Sequence, residues 1–289
     1  MPEMGSTVIR VLEIALLVAF VISIIYDSTR FVKREYVIRS EKILKNTRIV
    51  LLSDLHNKCF GHKNEDLIKA VEEASPDFIL IAGDMVTAAE KKTKYEEPIE
   101  LLRYLASKHP VFYANGNHEY RIKTYKEAYG DLYEEYKEKL IRCGVRLLEN
   151  DKVYLSDTNI EIFGLEIGKK YYKRFQQSTM EEGYIDNLLG KKEDRAFRLL
   201  IAHNPDYFKE YVKWGADLTV AGHLHGGVMR LPWLGGVISP MVRFFPKYDG
   251  GMFVEDDSVM VVSRGLGMHT IPIRIFNPGE LIIIDLCRR

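Results

Sequence analysis

The chain has 289 residues, 46% hydrophobic and 28% charged, which is ample for one or two packed domains and excludes extended disorder. Its 41 Lys and Arg balance 41 Asp and Glu, so whole-molecule attraction to polymeric nucleic acid is excluded and any phosphate affinity must be local. Cys59, Cys143 and Cys287 are odd in number and far apart, which excludes a disulfide framework.

Thr7 to Tyr26 form an apolar run interrupted only by Arg10 and Glu13. Its length is that of a bilayer-spanning helix, roughly 20 residues. Residues 1–27 are therefore expected to be a membrane anchor, against a buried core helix or a cleaved signal peptide. Cleavage is disfavoured because no basic n-region precedes the run and no small-x-small site follows it. Arg30, Lys33, Arg34, Arg39, Lys42 and Lys45 come after the run, whereas no Lys or Arg precedes it. By the positive-inside rule this charge places the body in the cytoplasm. Residues 28–47 then read as a basic linker, either touching anionic headgroups or solvated.

From Arg48 onward, short β-branched runs alternate with segments of helical period, so residues 48–289 are expected to fold as an α/β domain. Arg48 to Leu52 predicts a buried strand stopping at Ser53-Asp54-Leu55-His56. Asn64 caps a predicted helix reaching Glu73, and Phe78 to Ala82 predicts a second strand ending at Gly83-Asp84. A helix over Glu97 to Ser107 precedes a third strand, Val111 to Ala114, which runs into Asn115-Gly116-Asn117-His118-Glu119. Lys123 to Arg142 carries Tyr125, Tyr129, Leu132, Tyr136 and Leu140 at spacings of three and four, predicting one helix whose tyrosines pack the core. Val153 to Leu155 and Ile160 to Phe163 read as paired strands. A fourth major strand, Arg198 to Ala202, ends at His203-Asn204-Pro205, and the fifth, Leu218 to Ala221, ends at Gly222-His223-Leu224-His225.

Five strands thus each end in Asp, Asn or His. In open α/β sheets, sites form beyond the carboxyl ends of strands, so these residues are expected to converge. The set is Asp54, His56, Asp84, Asn117, His203, His223 and His225. Mixed oxygen and nitrogen donors without thiolate suit Mn, Fe, Zn or similar divalent ions. Seven ligands exceed the needs of one ion but serve two, with Asp84 as the bridge. A pair of ions roughly 3.5–4 Å apart acidifies a bridging water and neutralises phosphoryl oxygens, so hydroxide attack on phosphorus is the expected reaction. His118 is the candidate general acid for the leaving group. Gly83, Gly116 and Gly222 let backbone pass close to the cluster. Taken singly such residues prove little. His62, His109 and His269 are read as packed or solvated, although His269, following a Gly265-Leu266-Gly267 turn, is a candidate to border the site. Asp77 and Asp217 are read as turn or cap residues.

In order and placement, Asp54-Leu55-His56, Gly83-Asp84, Gly116-Asn117-His118-Glu119, His203 and Gly222-His223-Leu224-His225 resemble the ligand motifs of the calcineurin-like metallophosphoesterases. The resemblance spans about Arg48 to Asp285. It implies a four-layer α/β–β/α sandwich with a dinuclear centre, in which Asp54, His56 and His225 hold one ion, Asn117, His203 and His223 the other, and Asp84 both. The anchor, together with Leu231-Pro232, Phe245-Pro246-Lys247-Tyr248 and Ser263-Arg264-Gly265-Leu266-Gly267, resembles the membrane-associated branch that includes UDP-2,3-diacylglucosamine hydrolases. Phosphoprotein phosphatases of the superfamily carry an Asp and then an Arg where this chain has Thr87 and Ala88, so that activity is not expected, and the usual orienting partner of His118 is missing.

Lys169 to Phe175 (KKYYKRF) reads either as a rim gripping a phosphate or base, or as a solvated loop. Leu231 to Pro246 is apolar and broken by Gly and Pro, which predicts a loop near the metals. It suits a lipid-bearing substrate if exposed and core packing if not. Together these readings give a membrane-anchored phosphoesterase cleaving a phosphodiester or pyrophosphate, lipid-linked or nucleotide-linked. The rivals are a soluble-nucleotide phosphodiesterase and an inactive tethered scaffold. No protein partner is indicated.

Overall fold

The computed structural model describes residues 2–89, 93–173, 178–191, 195–231, 233–239, 244–268 and 273–289. His269, Arg174 and Phe175 of the KKYYKRF stretch, and Pro232 with positions 240–243 of the apolar loop, lie outside the described residues.

The chain opens with α1 (Pro2–Thr29), which contains a stretch, Ile9–Thr29, long and apolar enough to cross a membrane, with mean hydropathy 2.4. Its apolar window is not buried against the body, so it is not a core helix. The first half of the body comprises β1 (Phe31–Ser40), β2 (Thr47–Leu52), α2 (Glu65–Ala74), β3 (Phe78–Ile81), α3 (Glu96–Ala106), β4 (Val111–Tyr113), α4 (Asn117–Thr124), α5 (Lys126–Tyr129), α6 (Leu132–Arg142) and β5 (Arg146–Leu147). The second half comprises β6 (Asp151–Leu155), β7 (Ile160–Leu165), α7 (Tyr184–Leu189), β8 (Phe197–Ala202), α8 (Phe208–Trp214), β9 (Leu218–Ala221), β10 (Met229–Leu231), β11 (Gly235–Ile238), β12 (Gly251–Glu255), β13 (Ser258–Val262) and β14 (Gly279–Arg288).

One sheet has the order β1-β14-β2-β3-β4-β5 and the other β12-β13-β9-β8-β7-β6, while β10 and β11 form a separate hairpin. The pairings β2 with β3, β3 with β4, β7 with β8 and β8 with β9 are parallel, so crossover helices cover the outer faces. Period-two alternation builds the layers. Ile49 and Leu51 of β2 join Leu199, Ile201 and Val220 in a core shared by the two sheets. Val50 and Leu52 face the other way, toward Leu67, Leu102 and Leu140 of the helices. Residues of β7 and β8 such as Phe163 and Leu200 meet α8 through Tyr211 and Trp214. The result is helices, sheet, sheet, helices: the four-layer α/β sandwich the sequence predicts.

Three expectations need correction. Residues 28–47 are not a free linker: β1 pairs in parallel with β14 from Phe31 opposite Gly279 to Ser40 opposite Arg288. Its basic residues find acids of the body, as in Arg34 Nε to Glu280 Oε1 at 3.0 Å and Lys42 Nζ to Asp217 Oδ1 at 2.7 Å. Such charges suit a sheet edge, where they discourage pairing with another chain. The predicted helix from Lys123 to Arg142 is divided, because Gly130 at φ 61° ends α5 and Asp131 precedes α6. Tyr129, Tyr133 and Tyr136 are nevertheless buried in the helix–sheet core. Finally, Leu231 to Pro246 is not loop throughout, since Met229 to Leu231 and Gly235 to Ile238 pair antiparallel.

Glu149, just before β6, accepts hydrogen bonds at Oε1 from Lys123 Nζ and Tyr133 Oη, both 2.7 Å, and at Oε2 from Lys137 Nζ. Burial pushes the carboxyl up, but these donors outweigh it and hold it at about 2. A depressed folded value contributes stability above the unfolded value of 4.5, and that contribution is lost as pH falls from there toward 2. Glu149→Gln is expected to lower Tm at pH 7 by a few degrees and to narrow the Tm difference between about pH 7 and pH 3, as read by thermal denaturation.

Candidate metal centre

The carboxyl ends of β2, β3, β8 and β9 bring Asp54, His56, Asp84, His203, His223 and His225 to one place, with His118 after β4 among them. Adjacent strand ends are laced by Asp54 N–H to Gly83 O (3.0 Å), His56 N–H to Asp84 O (3.1 Å) and Gly222 N–H to His203 O (3.0 Å). The two sheets are tied across the cluster by His223 N–H to Asp54 Oδ1 at 3.1 Å and by His203 Nδ1 to Ala82 O at 2.6 Å. Asp54, His56, Asp84, His203, His223 and His225 are all buried. His203 Nε2 lies 3.1 Å from Asp84 Oδ2 and 3.9 Å from Asp54 Oδ1. His225 Nε2 lies 3.5 Å from Asp54 Oδ1 and 3.3 Å from His56 Nε2. Asp54–His56–His225 and Asp84–His203–His223 each place their ligand atoms within 4.8 Å of one another, as does His56–Asp84–His118.

Local backbone is bent to achieve this. Asp54, His56, Asp84, His223 and His225 all adopt positive φ, between 48° and 73°, a region that L-residues rarely occupy. Two glycines are required by close approach rather than by φ. A Cβ at Gly116 would sit 2.2 Å from Asp84 Oδ1, and one at Gly222 would sit 2.0 Å from Ser53 Oγ.

The donor set is suited to cations. His203 donates from Nδ1 to Ala82 O and His225 donates from Nδ1 to Gly267 O (3.1 Å), which turns each Nε2 toward the cluster. Asn117 Oδ1 is a buried acceptor with no hydrogen-bond partner. Burial raises the Asp54 carboxyl to about 6, against the pull of His203, whereas Asp84 is held well below the usual range despite its burial, chiefly by His203 and His118. Divalent cations are the partners that two buried carboxylates and inward-facing imidazoles call for.

His118 differs from these histidines. The Ala88 backbone N–H donates to its Nδ1 at 2.9 Å, so the neutral ring carries its hydrogen on Nε2, which is 4.0 Å from Asp84 Oδ2. That tautomer presents a donor to the cluster. Burial lowers its pKa, opposed by Asp84. No Asp stands at position 87, and the contact to Nδ1 is a donating main-chain amide in place of an accepting carboxylate, while Thr87 Oγ1 lies 3.2 Å from His56 Nδ1. His109 stands apart from the cluster, with Nε2 3.2 Å from Glu72 Oε1.

Sequence reasoning missed several supporting residues. Glu119 accepts from the backbone N–H groups of Asp84 (2.8 Å), Met85 (2.8 Å) and Gly116 (2.9 Å), locking two of the bent loops together. Its position three residues after Gly116, at a helix start, was the available signal. The Tyr172 ring packs edge-on against His223 with centroids 5.3 Å apart. Buried Arg274 donates to the carbonyls of Arg264, Gly265 and Gly267, and Asn277 donates to those of His225 and Gly227. Nothing in the local sequence marks either residue.

The model of the family described as Calcineurin-like phosphoesterase matches residues 47–227, more than half of the chain. Among related proteins, the metallophosphoesterase YkuE of Bacillus subtilis (strain 168) is 27% identical over 279 residues, covering 90% of this chain and 89% of its own. The UDP-2,3-diacylglucosamine pyrophosphatase LpxG of Chlamydia trachomatis serovar D is 27% identical over 294 residues, covering 83% of this chain and 84% of its own. The phosphodiesterase YaeI of Escherichia coli (strain K12) is 27% identical over 225 residues, covering 76% and 75%. The strand-end cluster falls within the matched region, and the chain belongs to the calcineurin-like phosphoesterase family.

Proposed function

We propose that this phosphoesterase is a membrane-anchored, dinuclear enzyme that cleaves a phosphodiester or pyrophosphate in a lipid-linked or nucleotide-linked substrate. The observation that carries the reading is the orientation of the histidines: His203 and His225 are anchored through Nδ1 to carbonyls and turn Nε2 toward the two carboxylates, whereas His118 receives an amide N–H at Nδ1 and presents Nε2–H. Asp54, His56 and His225 would hold one ion, Asn117, His203 and His223 the other, and Asp84 both. When bound, two divalent ions such as Mn, Fe or Zn acidify water and offset phosphoryl charge. His118 Nε2–H is the hydrogen-bond donor to a phosphoryl or leaving oxygen. Ala88 N–H fixes its ring, and Glu119 keeps Asp84 and Asn117 in register. The apolar helix, with positive charge following it, would place the body on the cytoplasmic face of the membrane.

A cavity of about 550 Å³ supports the nucleotide-like part of the substrate. It is lined by Tyr120, Arg121, Tyr125, Lys169 and Tyr172 and opens beside Asn117. Lys169 Nζ lies 4.5 Å from the Tyr125 ring centroid, so the wall offers both stacking surface and positive charge. The similarity to LpxG, named for a substrate bearing both a nucleotide and acyl chains, favours the same class.

Asp84→Asn is expected to strip both ions, read by elemental analysis, and to reduce hydrolysis of bis(p-nitrophenyl) phosphate by about 10³-fold or more. A protein purified without transition metal and insensitive to chelators would contradict the scheme. His118→Ala is expected to keep its ions and to slow substrates with alkyl leaving groups by about 10²–10⁴-fold, with a smaller effect on aryl esters. Lys169→Ala should raise KM for a nucleoside diphosphate ester about tenfold through the lost cation and its stacking contact, with kcat and the aryl diester unchanged. Equal losses on both substrates would remove the cavity from the specificity argument.

A further inference from the structure

The β10–β11 hairpin and the segment after it carry a group of exposed, large apolar side chains, and the hairpin grows directly out of the loop that bears His223 and His225. Trp233, at its turn, is 102% exposed, with Leu234 at 64%, Phe244 at 69% and Phe245 at 58%. Phe244 is held to the hairpin by a bridge to Ile238, and Phe245 N–H donates to Val237 O at 3.0 Å, so this segment runs alongside β11 toward the hairpin base. Trp233 and Phe245 adopt φ of 65° and 50°. Glycine or asparagine would sit more comfortably there, so the bulky apolar groups are kept at a conformational cost and are not filling a core.

The base of the hairpin adjoins the end of α1. Ser28, in the last turn of α1, accepts a hydrogen bond from Arg274 N–H at 3.1 Å. The next residue, Ile275, pairs with Met229 at the start of β10, with Arg230 N–H donating to Ile275 O at 3.0 Å. Tyr26 and Phe276 beside this junction are exposed, and the Arg30 guanidinium lies 4.3 Å from the Tyr26 ring centroid. Aromatic rings with cations near the end of an apolar helix are the pattern of a membrane–water interface. The tip stands about 13 Å beyond Met229 at roughly 3.3 Å per residue, enough to pass a headgroup layer about 5–7 Å deep.

We propose that the apolar surface of the hairpin, with Trp233 and Leu234 at its tip and Phe244 and Phe245 beside β11 nearer its base, inserts into the lipid surface beside α1, so that the metal centre opens at headgroup depth. The proposal rests on the anchor reading of α1 given above. Its ligand is a phospholipid bilayer, and its consequence is that a phosphate at the headgroup level reaches the centre with its acyl chains still in the membrane. Asn277, donating to the carbonyls of His225 and Gly227, couples the hairpin base to the candidate ligand loop.

The chain has two tryptophans, Trp214 buried under the second sheet and Trp233 at the tip. Full-length protein is reconstituted into phosphatidylcholine–phosphatidylglycerol vesicles with and without acyl-chain bromination, and flotation is measured alongside fluorescence. The expected result is co-flotation, with bromination quenching the wild type strongly and the Trp233→Phe variant at least threefold less. Co-flotation with no difference between the two proteins overturns the hairpin proposal and leaves the anchor standing; the patch then covers a protein surface. Failure to float overturns both. A Trp233→Ser, Phe244→Ser double variant should retain metal content and hydrolysis of a soluble aryl diester, and should lose at least fivefold in rate on a vesicle-embedded phosphodiester. Equal rates on vesicles would overturn the proposed consequence for substrate access.

Discussion

The constraint on which this molecule is built is electrostatic. Two carboxylates and four imidazoles are buried together at the seam of two sheets, where a charge without a partner is too costly to keep. The cluster is also conformationally expensive. Each of the five positive-φ residues Asp54, His56, Asp84, His223 and His225 costs roughly 1–2 kcal/mol, so together they approach the whole net stability of a domain, about 5–15 kcal/mol. Interactions elsewhere must offset that sum before any cation binds.

The offset is visible in the parts that do no chemistry. The shared core of β2, β3, β8 and β9 is continuous and fully buried, and it ends one or two residues short of the bent segments. Glu119 supplies acceptors for amides that the bends expose, and Tyr113 Oη donates to the same carboxylate at 2.8 Å. On the other side Arg274 gathers three carbonyls of the 264–267 turn, which in turn gives Gly267 O to His225 Nδ1. Strain is therefore held between rigid strands and buried polar clamps. This arrangement holds the clustered side chains in place through the protein's own contacts.

How much of this was legible follows from the range over which each signal acts. The strands ending in Asp, Asn or His could be read because each is a local pattern, an apolar run followed by a polar break, and parallel topology then forces their ends together. The pairing of β1 with β14 could not, since its evidence lies some 250 residues away and its exposed charges imitate a linker. The tautomers were equally hidden. His118 and His203 look alike in sequence, and what separates them is whether Nδ1 meets the Ala88 amide or the Ala82 carbonyl. The Thr87 and Ala88 departure pointed to the right place: where an Asp side chain would accept from Nδ1 of His118, the Ala88 amide donates to it.

The same reasoning bears on why an apolar helix and an apolar hairpin stand at one end of the sandwich. A centre at the carboxyl edge of two sheets is reached through the loops that follow those strands, so whatever decorates these loops selects what approaches. Here the loop after β9 leads from His225 through Gly226 and Gly227 into β10, and the segment before β14 joins β10 to Ser28 at the end of α1. On the other flank, Tyr172 packs on His223 and continues into the cavity of Tyr125 and Lys169. On the proposed function, an apolar approach on one side and an aromatic, cationic recess on the other would divide the surroundings of one phosphorus between two kinds of substituent. Only a substrate that is amphiphilic across its scissile bond would use both.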